Sequence, residues 1–142
     1  MSGEGPRIYL DTSAYLALLL GEPDAVRVER ATVGAALLSS VLLVIEARRT
    51  IVRLARTGAL TTPESHACLE RLANEQAFFT FRDLTLDLCD SPVMPAIATP
   101  RSLDLAHLRT ALWFHAERPL TRFLTLDQAQ AAAARELGLP ID

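Results

Sequence analysis

A chain of 142 residues that is 50% hydrophobic is long enough to bury one core, and we expect residues 1–142 to form a single domain. The formal net charge of −3 excludes a uniformly basic surface that binds nucleic acid through many phosphate contacts, so any such site must be local. Because Cys68 and Cys89 belong to no metal-binding cluster and no signal peptide or membrane-length apolar run is found, we expect a cytoplasmic protein that does not bind membranes.

The first predicted element is a short buried strand. Residues 8–10 are apolar or aromatic and end directly at Asp11. The apolar series that follows predicts a helix over 14–20, for which Ser13 is a candidate N-cap. The strand therefore delivers a carboxylate to the point where the chain turns into a helix.

A second strand and helix repeat this arrangement. After a predicted helix over 23–34, the apolar run 35–39 indicates another buried strand. Ser40 is placed to cap the next helix, which is about four turns long and extends to Gly58. Glu46 lies in the early turns of that helix, beside its apolar stripe.

The middle of the chain predicts a helical hairpin and a third strand. Thr61 and Glu64 have the spacing of a capping box, which indicates that a new helix begins there. Alternating large apolar and polar residues over 78–82 predict the strand. Pro92 and Pro95 then make one continuous helix unfavourable in the segment that follows.

The last part of the chain predicts two helices and another strand that ends in an acid. Ser102 is a candidate cap for an amphipathic helix, and an apolar strand over 122–126 ends at Asp127. An Ala-rich helix then ends at Gly138, and residues 139–141 are a candidate edge strand. Strands alternate with helices throughout, so the predicted class is α/β with a mainly parallel sheet.

Four acids are predicted to meet at one edge of this sheet. Asp11 and Asp127 follow strands, whereas Glu46 and Asp104 lie in the first turns of helices. Strand carboxyl ends and helix N-termini share an edge of a parallel sheet. Taken singly, each acid has an ordinary alternative role as a cap or as a charge that favours the helix dipole.

A cluster of these acids requires positive charge. Carboxylates 5 Å apart repel by about 3 kcal/mol per pair at an effective dielectric constant of 20. Oxygen ligands without suitably spaced Cys or His favour Mg²⁺ or Mn²⁺ over zinc. Such ions activate water and stabilise the leaving oxygen of a phosphodiester, and they allow an acidic protein to bind RNA locally.

The sequence resembles the PIN-domain ribonucleases, in particular the VapC-type toxins of toxin-antitoxin pairs. The resemblance covers nearly the whole chain, and its motifs occur in the family's order. They are Ile8-Tyr9-Leu10-Asp11-Thr12-Ser13-Ala14, Leu38-Ser39-Ser40-Val41 through Glu46, Arg101-Ser102-Leu103-Asp104-Leu105-Ala106-His107-Leu108, and Leu124-Thr125-Leu126-Asp127 with its Ala-rich helix and Gly138.

The resemblance implies a three-layer α/β/α sandwich and a Mg²⁺- or Mn²⁺-dependent endoribonuclease. It makes Asp11, Glu46, Asp104 and Asp127 the catalytic, metal-binding acids. It also implies RNA as substrate, a homodimer and a cognate VapB-like antitoxin. The two prolines near residue 92 depart from the family, which more often has an unbroken helix there.

Several polar residues near these motifs have two interpretations. Thr12, Ser13 and Thr125 either orient carboxylates and waters or cap turns and helices. His107 and His115 are expected to be packed or capping residues without a catalytic part. The arginines that follow Glu46 either contact RNA or form a solvated helix face, and they are Arg48, Arg49, Arg53 and Arg56.

Three other functions within this fold class remain open. A phosphatase or phospho-acceptor domain uses an aspartate after its first strand as a nucleophile, although Asp11 lacks a second acid two positions later and the chain contains no lysine. A non-toxin PIN nuclease in RNA processing, or a module that only binds RNA or protein, shares the fold. Four intact acids favour the enzymes over the binding module.

Overall fold

A parallel sheet of four strands in the order β3-β2-β1-β4 forms the centre of the protein. The computed structural model describes residues 5–92, 97 and 101–141. The strands are β1 (Arg7–Leu10), β2 (Ala36–Ser40), β3 (Phe79–Arg82) and β4 (Arg122–Leu124). Each neighbouring pair is parallel, which confirms the predicted mainly parallel α/β sheet.

Seven α-helices flank this sheet within the described ranges. They are α1 (Thr12–Leu20), α2 (Ala25–Thr32), α3 (Leu42–Arg56), α4 (Thr62–Glu75), α5 (Leu86–Asp90), α6 (Ser102–Glu117) and α7 (Gln128–Glu136). A 3₁₀ turn over Gln76–Phe78 leads into β3, so this strand begins one residue later than predicted. Among the described helices, none has the length and apolar character needed to cross a membrane.

Alternate residues of β1 face two different hydrophobic layers. Ile8 and Leu10 pack with buried residues of α1, α3 and α4. Tyr9 faces the opposite side, where it packs against α6 and α7 and stacks on Phe123. This alternation follows from the two-residue period of a strand, and burial on both faces is typical of parallel sheets. The fold is therefore the predicted three-layer α/β/α sandwich.

The helix starts differ from the sequence prediction at three places. Asp11, rather than Ser13, is the N-cap of α1, because its side chain accepts a hydrogen bond from the backbone N–H of Ala14. The N-cap of α3 is Val41, although the Ser40 hydroxyl accepts a hydrogen bond from the N–H of Leu42. Ser102 is the first residue of α6, which has Arg101 as its N-cap.

Two further predictions concern residues 139–141 and the segment that follows β3. Residues 139–141 form no strand: the Phe123 N–H donates to the Pro140 carbonyl, but no ladder continues from this bond. The helix that begins after β3 is short and ends at Asp90, before Pro92. Pro95 lies outside the described residues.

Candidate functional site

A cavity of about 340 Å³ lies where β1 and β4 end and α3 and α6 begin. All four predicted acids line it. They arrive from separate elements, because Asp11 caps α1, Asp127 caps α7, Glu46 is in α3 and Asp104 is in the first turn of α6. The predicted meeting of these acids at one edge of the sheet is therefore what the fold produces.

Asp11 is the most enclosed of the four carboxylates, with 5% of the residue exposed. Its Oδ1 accepts hydrogen bonds from the Ser13 hydroxyl at 2.6 Å and from the Ala14 N–H at 3.3 Å. Burial raises the pKa of Asp11, and the hydrogen bonds from Ser13 and Thr125 only partly oppose this shift. The environment of Asp11 thus disfavours its ionised form, and a nearby cation would stabilise that form.

Glu46 is held by two side chains from other elements. Its Oε1 accepts a hydrogen bond from Thr12 Oγ1 at 2.7 Å and lies 2.8 Å from His107 Nε2. Burial alone would raise the pKa of Glu46, but hydrogen bonds from His107 and Thr12 and the charge of Arg101 lower it below its usual value. Glu46 is therefore fixed as a carboxylate at the cavity wall.

His107 connects this wall to the hydrophobic core. The residue is 2% exposed, and its Nδ1 lies 2.7 Å from the Tyr9 hydroxyl. Burial raises the pKa of Tyr9, so the hydroxyl stays protonated and donates a hydrogen bond to Nδ1 of His107. In that arrangement the Nε2–H is the donor to Glu46. The expected packed histidine is confirmed, but sequence reasoning missed its contact with the acid.

His115 has the capping role that was expected for it. Its Nδ1 accepts a hydrogen bond from the backbone N–H of Leu120, beyond the end of α6. It does not line the cavity.

Arg101 supplies positive charge to the other two acids. Its Nε lies 3.2 Å from Asp104 Oδ2, and a terminal nitrogen lies 3.7 Å from Asp127 Oδ2. The other oxygen of Asp127 accepts hydrogen bonds from the N–H groups of Ala129 and Gln130, which cap α7. A guanidinium, with 69% of its side chain exposed, thus bridges two carboxylates at the cavity mouth.

The three predicted hydroxyl residues contact the acids or the chain beside them. Thr12 donates to Glu46, and Ser13 donates to Asp11 while accepting a hydrogen bond from the Leu126 N–H. Thr125 Oγ1 accepts from the Asp127 N–H and lies 3.2 Å from the Ser13 hydroxyl. Thr12 and Ser13 thus hold carboxylates, and Ser13 and Thr125 also accept backbone N–H groups at the turn into α7, so both interpretations left open by the sequence occur.

The donor set has the chemistry of a hard-cation site, since its side chains are carboxylates. Within the described ranges, however, no three His, Cys, Asp or Glu side chains converge closely enough to hold an ion. Each acid is held by a hydrogen bond or an ion pair within the protein instead. Arg101 is the cation that pairs with two of them, Asp104 and Asp127.

Comparison of the sequence with protein-family models and with curated proteins finds no match.

Proposed function

We propose that this protein is a Mg²⁺- or Mn²⁺-dependent endoribonuclease of the VapC type, with a PIN-like domain that hydrolyses RNA phosphodiester bonds. One observation carries the proposal: four carboxylates from four separate elements line a single cavity. Ordinary capping explains an acid at one helix start, but it does not require four acids to share a cavity.

The residues that would hold the ion are Asp11, Glu46, Asp104 and Asp127. A bound divalent ion supplies an activated water and neutralises charge that develops on the phosphodiester. The oxygen donors fit such an ion in type, and the position of Arg101 supports this fit because it brings a cation to Asp104 and Asp127.

The remaining side chains hold the acids in place. Thr12 and His107 fix the Glu46 carboxylate from two directions, and Ser13 fixes Asp11. Such supporting hydrogen bonds reduce the motion of the reacting groups and set the direction in which their free oxygens point. Because His107 is itself held by Tyr9, the support of Glu46 extends into the core.

A phosphatase with Asp11 as nucleophile is less well supported. Asp11 is 5% exposed, and one of its oxygens already accepts two hydrogen bonds as the cap of α1. A nucleophilic carboxylate has to approach phosphorus directly, and this enclosure opposes that approach. Trapping of an aspartyl-phosphate on Asp11 would reverse this preference.

The experiment that tests the proposal is cleavage of a mixed RNA pool by the purified protein. We expect cleavage with Mg²⁺ or Mn²⁺ and none with EDTA. Asp11→Asn should lower the rate about 100-fold or more, since even residues that only support metal ligands contribute about 10–100-fold. Asparagine caps helices as well as aspartate does, so this substitution removes the charge and keeps the start of α1.

Asp24→Asn is the matched control, because Asp24 is also an aspartate at a helix N-cap but does not line this cavity. It should leave cleavage unchanged. Metal-independent cleavage, or full activity of Asp11→Asn, would contradict the mechanism.

The toxin assignment, with a VapB-like antitoxin and a homodimer, belongs to the same proposal and has its own test. Expression of the protein should arrest growth, and Asp104→Asn should relieve the arrest. Cleavage in the test tube without toxicity would favour the RNA-processing nuclease with the same site. Co-purification tests for the antitoxin. The mass of the free protein in solution tests for the homodimer.

A further inference from the structure

The arginines that follow Glu46 on α3 divide into two pairs. Arg49 and Arg53 line the cavity, whereas Arg48 and Arg56 do not. Residues four apart lie on the same face of a helix, about 6 Å from each other along its axis. Arg49 and Arg53 therefore form a cationic pair that borders the acid cluster, and Arg56 lies one turn beyond Arg53 on the same face of α3.

Arg49 and Arg53 differ from Arg101 in their partners. Arg101 is paired with Asp104 and Asp127. Neither Arg49 nor Arg53 forms an ion pair or a side-chain hydrogen bond with any residue that the structure describes, and both are exposed. Their guanidinium groups are available to a ligand at the rim of the cavity.

An anionic strand is the ligand that fits this rim. A guanidinium donates two parallel hydrogen bonds to one phosphate, and an i,i+4 pair presents two such groups at a spacing comparable to that of successive phosphates. The cavity is near the lower end of the roughly 300–1,000 Å³ range of ligand pockets, so it has room for one nucleotide but not for its neighbours. Flanking phosphates must then lie outside it, where α3 borders the opening.

We infer that Arg49 and Arg53 bind backbone phosphates of single-stranded RNA next to the nucleotide in the cavity. This rests on the proposed function, which places the scissile phosphate among the four acids. Since the protein carries a net charge of −3, these two side chains supply attraction that its overall charge does not. The site thereby selects an oligonucleotide with several phosphates over a dinucleotide.

The test is the binding of a short, labelled single-stranded RNA, followed by fluorescence anisotropy in EDTA over a series of salt concentrations. The double variant Arg49→Ala/Arg53→Ala should bind about tenfold or more weakly at low salt. The slope of log K against log salt should fall in magnitude by about 1.4, because each phosphate contact on a single strand contributes about 0.7.

Arg27→Ala/Arg30→Ala is the matched control, since it removes the same charge from two exposed arginines of α2 that do not line the cavity. It should change affinity at the same salt concentration by less than about twofold, because these two side chains do not border the cavity. Equal losses in the two double variants would overturn the inference, since they would show an effect of net charge alone. Absence of RNA binding to the unmodified protein would overturn it as well.

Two further arms separate this site from other possibilities. Polyglutamate that binds more tightly than RNA, and loses its affinity in Arg49→Ala/Arg53→Ala, would assign the pair to an acidic protein segment and overturn the inference.

RNA cleavage is measured separately with Mg²⁺. RNA bound through the pair without cleavage would contradict the nuclease and keep the phosphate site. Cleavage with an unchanged KM in Arg49→Ala/Arg53→Ala would keep the nuclease and reject the phosphate site.

Discussion

His107 is a buried polar residue that contacts one group in the core and one in the cavity. The Tyr9 hydroxyl contacts one ring nitrogen at 2.7 Å, and Glu46 contacts the other at 2.8 Å. Since Tyr9 and His107 are almost completely buried, neither can exchange its partner for bulk water. The position of the Glu46 carboxylate therefore depends on a hydroxyl that does not itself line the cavity.

Tyr9→Phe should lower the free energy of unfolding by about 1–3 kcal/mol, because it leaves a buried ring nitrogen without its partner. RNA cleavage should fall as well, since the support of Glu46 is weakened. Tyr15→Phe is the matched control: the Tyr15 hydroxyl donates to Glu75, which is partly exposed and can bind water in its place. Urea denaturation measures both variants, and equal losses would contradict the role of burial.

In the proposed metal site, the Arg101 guanidinium would compete with the ion, because it is paired with Asp104 and Asp127. If the proposed site holds an ion, millimolar Mg²⁺ or Mn²⁺ should raise the melting temperature, because a ligand that binds only the folded state stabilises it. In Arg101→Gln the apparent affinity for the ion should rise a few-fold, since exposed ion pairs contribute about 0.2–1 kcal/mol. Thermal melts over a metal titration measure this.

Arg48→Gln is the control for this titration, because it removes an exposed arginine outside the cavity. It should leave the metal-induced shift unchanged. A smaller shift in Arg101→Gln would contradict competition between the guanidinium and the ion, and no shift in any protein would contradict a metal site at these acids.

At the scale of elements, α4 shows how a local pattern determines a helix start. Thr61 Oγ1 accepts from the Glu64 N–H, and Glu64 Oε1 accepts from the Thr61 N–H, so both bonds of the predicted capping box are present. These bonds lower the pKa of Glu64. All the atoms involved lie within four consecutive residues, and for this reason the sequence alone predicts them.

Thr61→Ala should destabilise the protein by about 1 kcal/mol, the usual effect of removing an N-cap hydroxyl. The corresponding fall in melting temperature is about 2–4 °C for a protein of this size. Thr62→Ala, one residue later, is the control, since Thr62 follows the cap as the first residue of α4. Equal changes in the two variants would show that the cap is not responsible.

The start of α1 shows why other elements were predicted less well. Both Asp11 and Ser13 are suitable caps by their chemistry. Residues far away in the sequence decide which of the two caps the helix. The Ser13 hydroxyl accepts a hydrogen bond from the Leu126 N–H and lies next to Thr125. Likewise, residues 139–141 are strand-like in composition, but their pairing with β4 stops after one hydrogen bond, from Phe123.

The acids of the candidate site were predictable from the sequence, but their hydrogen-bond partners were not. The acids follow from strand ends and helix starts, and the structure brings all four to one cavity. Their partners depend on tertiary contacts: His107 reaches Glu46 across 61 positions of sequence. One local signal was available, since His107 lies three residues after Asp104 and thus on the same face of α6.

At the scale of the whole molecule, two tyrosines contribute to the alkaline behaviour of a chain that contains no lysine. The chain has two tyrosines, and burial raises the pKa of both Tyr9 and Tyr15. A raised pKa in the folded state stabilises the fold fully below the unfolded pKa of about 10, and this contribution is lost as the pH rises further. Stability should therefore fall above about pH 10.

Urea denaturation at increasing pH measures this fall, and tyrosinate absorbance identifies the group. In Tyr15→Phe the fall above about pH 10 should be smaller, because one of the two groups is gone. An identical pH dependence in the variant would show that Tyr15 does not contribute.

The hydrogen bond between Ser13 and Thr125 joins residues 112 positions apart and lies beside the acid cluster. During synthesis at about 5–20 residues per second, Asp11 leaves the ribosome many seconds before β4 and Asp127 do. Until β4 pairs with β1, the cavity has neither its last acid nor the Thr125 hydroxyl that contacts Ser13. If the protein cleaves RNA, a nascent chain is thus inactive while it remains close to the message that encodes it.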